Sequence, residues 1–286
     1  MLLEILKAVL FGVIEGITEW LPISSTGHLI LVEQFVKLEK VSPEFWSMFQ
    51  VVIQLGAILA VVLLYWNKIW PITRNKKEAI QPKGIGSYFN KNIMILWIKI
   101  LVACIPAAVI GLFFDEIFEA LFYNPFCIAL ALILFGIAFI VVENWNQKKE
   151  NKKTKERNSQ ITYKDAIIIG IFQLIAAIFP GTSRSGATII GGLLIGLSRP
   201  NAAEFTFYLA IPTMLGASLL KLVKFGFGFT SAELIILLVG MIVSFLVSVL
   251  VIKFLMNYIK KHDFKPFGYY RIVLGIAVLF YFCLVR

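Results

Sequence analysis

Long apolar runs, separated by short polar segments, make up most of this chain. A helix needs roughly 20 apolar residues to cross the hydrocarbon core of a bilayer, and runs of this kind recur from the first residues to the last. In the first half they predict membrane-spanning helices at about 45–66, 93–114 and 122–143. The first run lacks a basic segment before it and is one of many, so it does not resemble a removable signal peptide. The pattern predicts an all-α, polytopic membrane protein.

The first apolar run is interrupted at Pro22, which divides it into two helices at about 2–20 and 25–36. Each of these helices is too short to cross a bilayer comfortably alone. Glu15 and Glu19 precede the interruption, so ionisable groups lie within an apolar segment. Irregular backbone at membrane depth has to be buried in protein or to line a wet cavity. The segment is therefore predicted to form a re-entrant helix hairpin.

The second half of the chain repeats the first half. Residues 8–25 align without gaps on residues 166–183, and the same alignment places Arg184 where the first half has Thr26. Polar, glycine and proline positions match as well as apolar ones, so chance similarity between oily segments is the weaker explanation. Each half is predicted to hold one re-entrant hairpin and three membrane-spanning helices.

Because three crossings are an odd number, the second repeat is upside down relative to the first, as in proteins with inverted-topology repeats. The whole chain, 1–286, is predicted to be a single integral membrane domain. Its first repeat at 1–147 and its second, inverted repeat at 166–286 flank a basic cytoplasmic linker at 148–165. The two hairpin tips should meet near the middle of the membrane, where such proteins place a polar site.

Composition supports the membrane assignment and excludes other classes. Hydrophobic residues form 59% of the chain, charged residues form 15%, and the mean hydropathy is +0.85. Soluble domains of this length do not have such a composition. The net charge of +10 is not accompanied by any nucleic-acid recognition motif, so no nucleic-acid partner is expected.

Basic residues crowd into three segments, and the positive-inside rule places these segments in the cytoplasm. They are Lys68, Arg74, Lys76, Lys77, Lys83 and Lys91; then Lys148, Lys149, Lys152, Lys153, Lys155, Arg157 and Lys164; and finally Lys260, Lys261, Lys265 and Arg271. The connection at about 115–121 contains acidic residues and no basic one. It is therefore expected outside, and the same count of crossings places both termini outside.

The second interruption, at 180–188, reads Pro-Gly-Thr-Ser-Arg-Ser-Gly-Ala-Thr and opens a helix. A helix N-terminus attracts anions, and arginine clamps phosphate oxygens in a bidentate fork. An arginine in hydrocarbon costs about 2.5–3.5 kcal/mol on insertion scales, so Arg184 is expected to pair with Glu15 or Glu19. The hydroxyls expected to bind the anion beside it are those of Thr182, Ser183, Ser185 and Thr188.

The first interruption combines carboxylates, hydroxyls and an imidazole. Glu15 and Glu19 are four residues apart and share one helix face. They are groups that metal-assisted phosphate chemistry uses, or they form only a buried ion pair that holds the two hairpins together. Ser24 is either a substrate ligand or the cap of the following helix. Ser25 and His28 are groups that nucleophilic or metal-assisted phosphate chemistry uses, although His28 alone could be an ordinary interior histidine.

Residues 15–28 and 180–188 together resemble the paired motifs of the undecaprenyl-diphosphate phosphatase family, also called bacitracin-resistance proteins. The resemblance covers essentially the full length. It implies a hydrolase of the bacterial plasma membrane that converts undecaprenyl diphosphate to undecaprenyl phosphate and inorganic phosphate, which recycles the lipid carrier of peptidoglycan synthesis. It also implies interlocked inverted repeats, an active site open to the outer face, a divalent cation (Mg²⁺ or Ca²⁺) and a homodimer. The expected partners are the lipid substrate, membrane lipids and a second copy of the chain.

Carried over by position, the acidic motif of the family falls on Glu15 and Glu19, which the resemblance implies hold the metal and position the diphosphate. Its serine–histidine motif falls on Ser25 and His28. Its arginine motif falls on Ser183, Arg184 and Thr188. The side chains expected to converge around one diphosphate-sized pocket are Glu19, Ser25, His28 and Arg184.

Two mechanisms stay open. In the leading hypothesis Ser25, activated by His28 or by a carboxylate, attacks the terminal phosphorus and forms a phosphoserine. In the rival hypothesis a metal-bound water attacks, His28 or Glu19 acts as the base, and Ser25 binds the oxyanion. Inverted repeats also suit a function of another class, a transporter or flippase that carries a lipid phosphate across the membrane. The paired glutamates beside Ser25 and His28 favour the enzyme, because binding alone does not require them.

Overall fold

The computed structural model describes residues 1–73, 75, 77–81, 84–150, 161–226 and 228–285. Within these ranges it contains eleven α-helices, a short 3-10 helix at Ile85–Tyr88 and two isolated β-bridges. The α-helices are α1 (Leu2–Thr18), α2 (Ser25–Glu33), α3 (Pro43–Val52), α4 (Gln54–Ile69), α5 (Lys91–Phe122), α6 (Pro125–Glu150), α7 (Tyr163–Ile178), α8 (Arg184–Leu194), α9 (Arg199–Phe225), α10 (Ser231–Tyr258) and α11 (Lys265–Val285). The all-α prediction is confirmed for this part of the chain.

Six stretches of the described chain are long and apolar enough to cross a membrane. They are Pro43–Ile69, Lys91–Gly111, Pro125–Lys148, Arg199–Phe225, Ser231–Tyr258 and Lys265–Leu284. The first stretch combines α3 and α4, which meet at Ile53 with helical dihedral angles (φ −60°, ψ −23°). The short helices α1, α2, α7 and α8 are not among the six. The protein is therefore a multi-pass membrane protein.

The boundary of α5 differs from its prediction. The sequence pattern ended this helix near residue 114 and assigned residues 115–121 to a connection, but α5 continues through them to Phe122. Neither glycine nor proline occurs between 112 and 122, so nothing in the local sequence stops the helix. The connection is shortened to residues 123–124, and α6 begins with a proline, Pro125, at its first position.

The predicted basic linkers fall partly beyond the part of the chain that the structure describes. Arg74, Lys76, Lys83, Lys152, Lys153, Lys155 and Arg157 lie outside the described residues.

Each short helix pair is interrupted by a turn with a serine in an unusual conformation. Ser24 before α2 has φ 74°, and Ser183 before α8 has φ 70°; they are the described non-glycine residues with positive φ. Each serine side chain accepts a hydrogen bond from the backbone N–H three residues later, at 3.3 Å from Gly27 and 3.2 Å from Gly186. Both serines are therefore N-caps of the helices that they precede.

The two caps do not follow the register of the ungapped alignment between the two halves of the chain. The ungapped alignment paired Ser25 with Ser183 and Thr26 with Arg184, whereas the caps pair Ser24 with Ser183. In this register Arg184 occupies the position of Ser25. The second turn holds one additional residue between its proline and its cap, and Gly181 there has φ 91°, a left-handed conformation that glycine adopts without strain.

The two halves exchange their short helices. α1 packs along α10 of the second half, and α7 packs along α5 of the first half, while α6 packs along α11. At the first crossing a Cβ on Gly12 would lie 2.6 Å from the carbonyl oxygen of Gly240, and at the second a Cβ on Gly170 would lie 2.5 Å from that of Ala103. Both crossings therefore need glycine for the close approach of two helix backbones. This packing brings the two capped turns together.

Candidate active site

The carboxylate of Glu19 links the two turns. Its Oε1 accepts a hydrogen bond from Arg184 Nη2 at 2.6 Å, and its Oε2 accepts one from Ser25 Oγ at 2.9 Å. Glu19 follows α1, Ser25 opens α2 and Arg184 opens α8. The side chains of the ion pair are only 8% and 13% exposed. The prediction that Arg184 pairs with one of the two glutamates is confirmed, and the partner is Glu19.

Two further contacts hold the Arg184 guanidinium in place. Its Nη1 donates to the carbonyl oxygen of Thr206 at 3.1 Å, and its Nη2 also lies 3.5 Å from Met214 Sδ. Both partners belong to α9. A buried charge is costly unless it is paired and hydrogen-bonded, and Glu19 and the Thr206 carbonyl supply these interactions.

A cavity of about 200 Å³ lies at this ion pair. Residues of both turns contribute to its wall: Glu19, Ser25, Thr26, Pro180, Gly181, Ser183 and Arg184. Small or apolar residues of α5, α7 and α9 complete it: Ala107, Ala176, Ala177, Met214 and Ala217. Three polar side chains of the wall were not predicted as site residues: Gln54, Gln173 and Thr213. An anionic head group attached to an apolar chain suits such a mixed wall.

Glu15 lies one helical turn before Glu19 and is fully buried. No described residue donates a hydrogen bond to either of its carboxylate oxygens. An unpartnered buried carboxylate is costly, so its retention points to a ligand or a proton that the protein atoms do not supply. The described residues contain no group of three or more histidine, cysteine, aspartate or glutamate side chains able to hold a metal ion.

His28 does not face the Glu19–Arg184 pair. Its Nδ1 lies 2.7 Å from the carbonyl oxygen of Ser24, and its Nε2 lies 2.6 Å from the hydroxyl of Tyr270 in α11. It is not part of the cavity wall. Of the four side chains expected to converge there, Glu19, Ser25 and Arg184 do so and His28 does not.

The hydroxyls predicted to bind the anion have different surroundings. Ser183 belongs to the cavity wall, and its Oγ lies 3.2 Å from that of Ser185. Ser185 Oγ donates to the backbone carbonyl of Glu19 at 3.0 Å, so it links the start of α8 to the residue that follows α1.

The remaining predicted hydroxyls face the protein interior. Ser24 is 1% exposed and caps α2, which favours the capping interpretation. Thr188 Oγ1 lies 2.9 Å from Thr206 Oγ1 and donates to the carbonyl of Arg184 at 2.9 Å. Thr182 is fully buried, and its hydroxyl has no hydrogen-bond partner among the described residues.

Comparison with known proteins identifies the family. Residues 8–277 match the family model described as bacitracin resistance protein BacA. The chain belongs to this family.

The undecaprenyl-diphosphatase of Desulfitobacterium hafniense is 62% identical over 281 residues, which cover 98% of this chain and 97% of that protein. Undecaprenyl-diphosphatase 1 of Clostridium acetobutylicum is 59% identical over 283 residues, which cover 99% of each chain. An undecaprenyl-diphosphatase of Enterococcus faecalis is 58% identical over 278 residues, 97% of this chain and 96% of that protein. The resemblance noted from the motifs is confirmed.

In this BacA-family chain the buried arginine of α11 was assigned wrongly from the sequence. Arg271 was grouped with the cytoplasmic basic residues, but it is fully buried. Its Nη1 donates to the carbonyl of Pro22 at 3.2 Å, and its Nη2 donates to those of Gly181 at 3.0 Å and Thr182 at 2.7 Å. It therefore ties the first turn to the second. The available signal was its position inside an apolar helix, where an arginine points to a functional role.

Proposed function

We propose that this protein is an integral membrane phosphatase that hydrolyses undecaprenyl diphosphate to undecaprenyl phosphate and inorganic phosphate. One observation carries the proposal: a single carboxylate, that of Glu19, holds both the hydroxyl of Ser25 and the guanidinium of Arg184 at the wall of one cavity. The names of the three relatives support the same substrate. A site that only bound the anion would need the guanidinium but not a hydroxyl that donates to a carboxylate.

The hydrogen bond from Ser25 to Glu19 favours serine as the nucleophile. Glu19 accepts the proton as Ser25 Oγ attacks the terminal phosphorus. The new Oγ–P bond forms in line with the bond from phosphorus to the bridging oxygen, which breaks and releases undecaprenyl phosphate. Water then attacks the phosphoserine, inorganic phosphate leaves, and Ser25 regains a proton. Direct attack by water, with Ser25 as a hydrogen-bond donor, is the rival route.

Arg184 stabilises the charge that develops during either route. Arg184 is the first residue of α8, so the helix dipole and the side chain both contribute positive charge to this turn. A bidentate fork fits two oxygens of one phosphoryl group. Glu19 partly neutralises this charge in the free protein, so we expect the diphosphate to compete with Glu19 for the guanidinium when it binds.

We also propose a divalent cation, Mg²⁺ or Ca²⁺, held by Glu15 and Glu19. The unpartnered oxygens of the buried Glu15 are the observation that fits it. Mg²⁺ is typically held by one or two carboxylates together with substrate phosphates, so two glutamates suffice. When bound, the cation neutralises charge on the diphosphate.

The metal proposal predicts that the Glu15→Gln protein needs at least about tenfold more Mg²⁺ or Ca²⁺ for half-maximal turnover. The amide keeps the size of the side chain but loses the charge. Thermal unfolding in inorganic phosphate provides a second readout, because a cation that binds only the folded protein raises the unfolding midpoint. We expect the wild-type midpoint to rise with added cation and the Glu15→Gln midpoint to change little. Equal metal dependence of the two proteins would contradict the assignment.

The finer architecture is part of the proposal: two inverted repeats, each a re-entrant hairpin with three crossings. The matched crossings of α1 with α10 and of α7 with α5 support it. So do two contacts between α6 and α11, where Gly136 approaches the carbonyl of Gly268 and Gly275 approaches that of Ala129. Gly275 follows Gly136 in the chain by the same number of residues as Gly268 follows Ala129, so one shift relates the two contacts.

The orientation in the plasma membrane rests on charge. The positive-inside rule supports cytoplasmic basic linkers and outer termini. A site open to the outer face is what the family resemblance implies. The homodimer and the contact with membrane lipids stay predictions from the family resemblance.

Phosphate release by purified protein in detergent tests the function. Micelles have no second compartment, so release from a polyprenyl diphosphate requires hydrolysis and cannot result from transport. We expect release that stops when a chelator is added and returns with Mg²⁺ or Ca²⁺. Substrate binding without release would contradict the proposal and favour the flippase.

A further inference from the structure

His28 and Tyr270 form a pair that the proposed chemistry does not use. The two rings are nearly parallel, with an interplanar angle of 3° and centroids 5.6 Å apart. The Tyr270 hydroxyl lies 2.6 Å from His28 Nε2, a short distance for a neutral hydrogen bond. Tyr270 does not line the cavity at the Glu19–Arg184 pair.

The second partner of His28 determines which ring nitrogen carries the proton. A carbonyl oxygen can only accept, so the 2.7 Å contact with Ser24 requires a proton on Nδ1. In the neutral ring Nε2 then has only its lone pair and accepts from the Tyr270 hydroxyl. Both nitrogens are therefore engaged away from Ser25, and in this arrangement His28 is not placed to remove the serine proton.

The contact with Ser24 connects His28 to the nucleophile through the backbone. Ser24 has φ 74° and ψ 101°, a conformation that costs a non-glycine residue about 1–3 kcal/mol and persists only where the surroundings enforce it. Its carbonyl accepts from His28 Nδ1, and the next residue is Ser25, whose hydroxyl donates to Glu19. The strained residue is thus covalently next to the residue whose hydroxyl donates to Glu19.

α11 fixes this arrangement from outside the turn. Tyr270 binds His28 at one end of the turn, and the neighbouring Arg271 binds the carbonyl of Pro22 at the other end. Two consecutive residues of one helix thus contact both sides of the segment that carries Ser24 and Ser25.

We infer that Tyr270 is a positioning residue that acts through His28. It holds the Nδ1-protonated ring against the Ser24 carbonyl and so maintains the hydrogen bond from the Ser25 hydroxyl to Glu19. The inference rests on the proposed phosphatase function. It assigns His28 to the support of the turn and assigns proton removal to Glu19.

Two substitutions of His28 distinguish a role in supporting the turn from a role in removing the Ser25 proton. The amide nitrogen of asparagine lies close to where histidine has Nδ1, so His28→Asn keeps a donor for the Ser24 carbonyl but cannot act as a base. We expect kcat of the His28→Asn protein to exceed that of His28→Ala by about tenfold, the upper range for one neutral hydrogen bond. Equal losses in the two proteins, of about a hundredfold or more, would show that His28 is the base and overturn the inference.

Tyr270→Phe removes the hydroxyl and keeps the stacked ring. We expect kcat to fall about three- to tenfold with KM unchanged, because the hydroxyl supports the turn and does not touch substrate. Tyr269→Phe is the matched control, since Tyr269 is the neighbouring tyrosine and is 56% exposed. It should keep wild-type kcat and KM. A Tyr270→Phe protein with wild-type kcat would overturn the inference.

Nitrogen-15 spectra of labelled histidine report the ring directly and do not depend on turnover. The chain has two histidines, and a His262→Gln variant assigns their signals. At a pH where the ring is neutral we expect the His28 proton on Nδ1 and a hydrogen-bonded Nε2, whose shift changes in Tyr270→Phe and not in Tyr269→Phe. A proton on Nε2 in the wild type would overturn the inference even if the protein proves to be a phosphatase. A failure of phosphate release with the expected spectra would instead contradict the proposed function.

Discussion

We expect the replacement of Arg184 with alanine to lower kcat/KM for a polyprenyl diphosphate by at least about a thousandfold, the scale on which a single arginine acts in phosphoryl transfer. The substitution removes the only charged partner of Glu19 that the described residues provide, and it removes the fork that binds phosphoryl oxygens. It also leaves the Glu19 carboxylate buried without a counter-charge, which costs about 3–5 kcal/mol when one partner of a buried pair is removed. The measurement is phosphate release in detergent at several substrate concentrations.

Two variants distinguish the loss of phosphate binding by the Arg184 guanidinium from the loss of a buried ion pair. Arg184→Lys keeps the charge without the planar fork, and we expect it to recover only part of the activity. Arg199→Ala breaks another buried pair, in which Arg199 Nη2 lies 2.7 Å from Glu143, a residue that is fully buried and does not line the cavity. It should lower the thermal unfolding midpoint but leave kcat/KM of the folded protein near the wild-type value. Near-normal activity in Arg184→Ala would count against the whole site.

We expect the replacement of Arg271 with methionine to loosen the contact between the two turns and to remove most of the turnover. Three carbonyls, those of Pro22, Gly181 and Thr182, lose their donor, and each unsatisfied buried acceptor costs about 1–3 kcal/mol. Removing a buried charge offsets part of this cost, so we expect a net loss of about 3 kcal/mol. Because Ser25 and Arg184 come from different turns, kcat should fall by at least about tenfold even in protein that stays folded.

The matched control for Arg271 is Lys265→Met at the first position of the same helix. Lys265 is a partly exposed cation, paired with Asp263 at 3.5 Å, and its loss should cost no more than about 1 kcal/mol. Apparent unfolding midpoints measured at one scan rate compare the variants. If Arg271→Met unfolds at the wild-type midpoint and retains wild-type kcat, Arg271 does not hold the turns together.

The partner of Arg184 could be predicted from the sequence because an unpaired arginine in hydrocarbon has a large free-energy cost. An arginine in hydrocarbon requires a counter-charge, and the first interruption offers carboxylates only at Glu15 and Glu19. The choice between them depends on one helical turn, and only the packing of the two capped turns decides it. The ungapped alignment places Arg184 opposite Thr26, whereas the caps place it opposite Ser25. Matching apolar and glycine positions do not reveal that the second turn holds an extra residue before its cap.

The surroundings of His28 could not be predicted, because its partner Tyr270 lies 242 positions later in the chain. Which ring nitrogen faces which group depends on how α11 packs against the first turn, and no local pattern encodes that packing. Arg271 illustrates the same limit. Its closeness in sequence to Lys265 suggested a cytoplasmic position, whereas the helix carries it about 9 Å further along its axis, at 1.5 Å per residue. There it meets the carbonyls of both turns.

The configuration at the transferred phosphorus tests most directly whether Ser25, whose hydroxyl donates to Glu19, is the nucleophile. A substrate whose terminal thiophosphoryl group is made chiral with oxygen isotopes is hydrolysed in isotopically labelled water, and the configuration of the released thiophosphate is determined. Each in-line displacement inverts the phosphorus. Attack by Ser25 followed by water therefore gives net retention, and the Ser25→Ala protein should release no phosphate above background. Net inversion, or near-normal turnover in Ser25→Ala, would show that water attacks directly and would contradict the account.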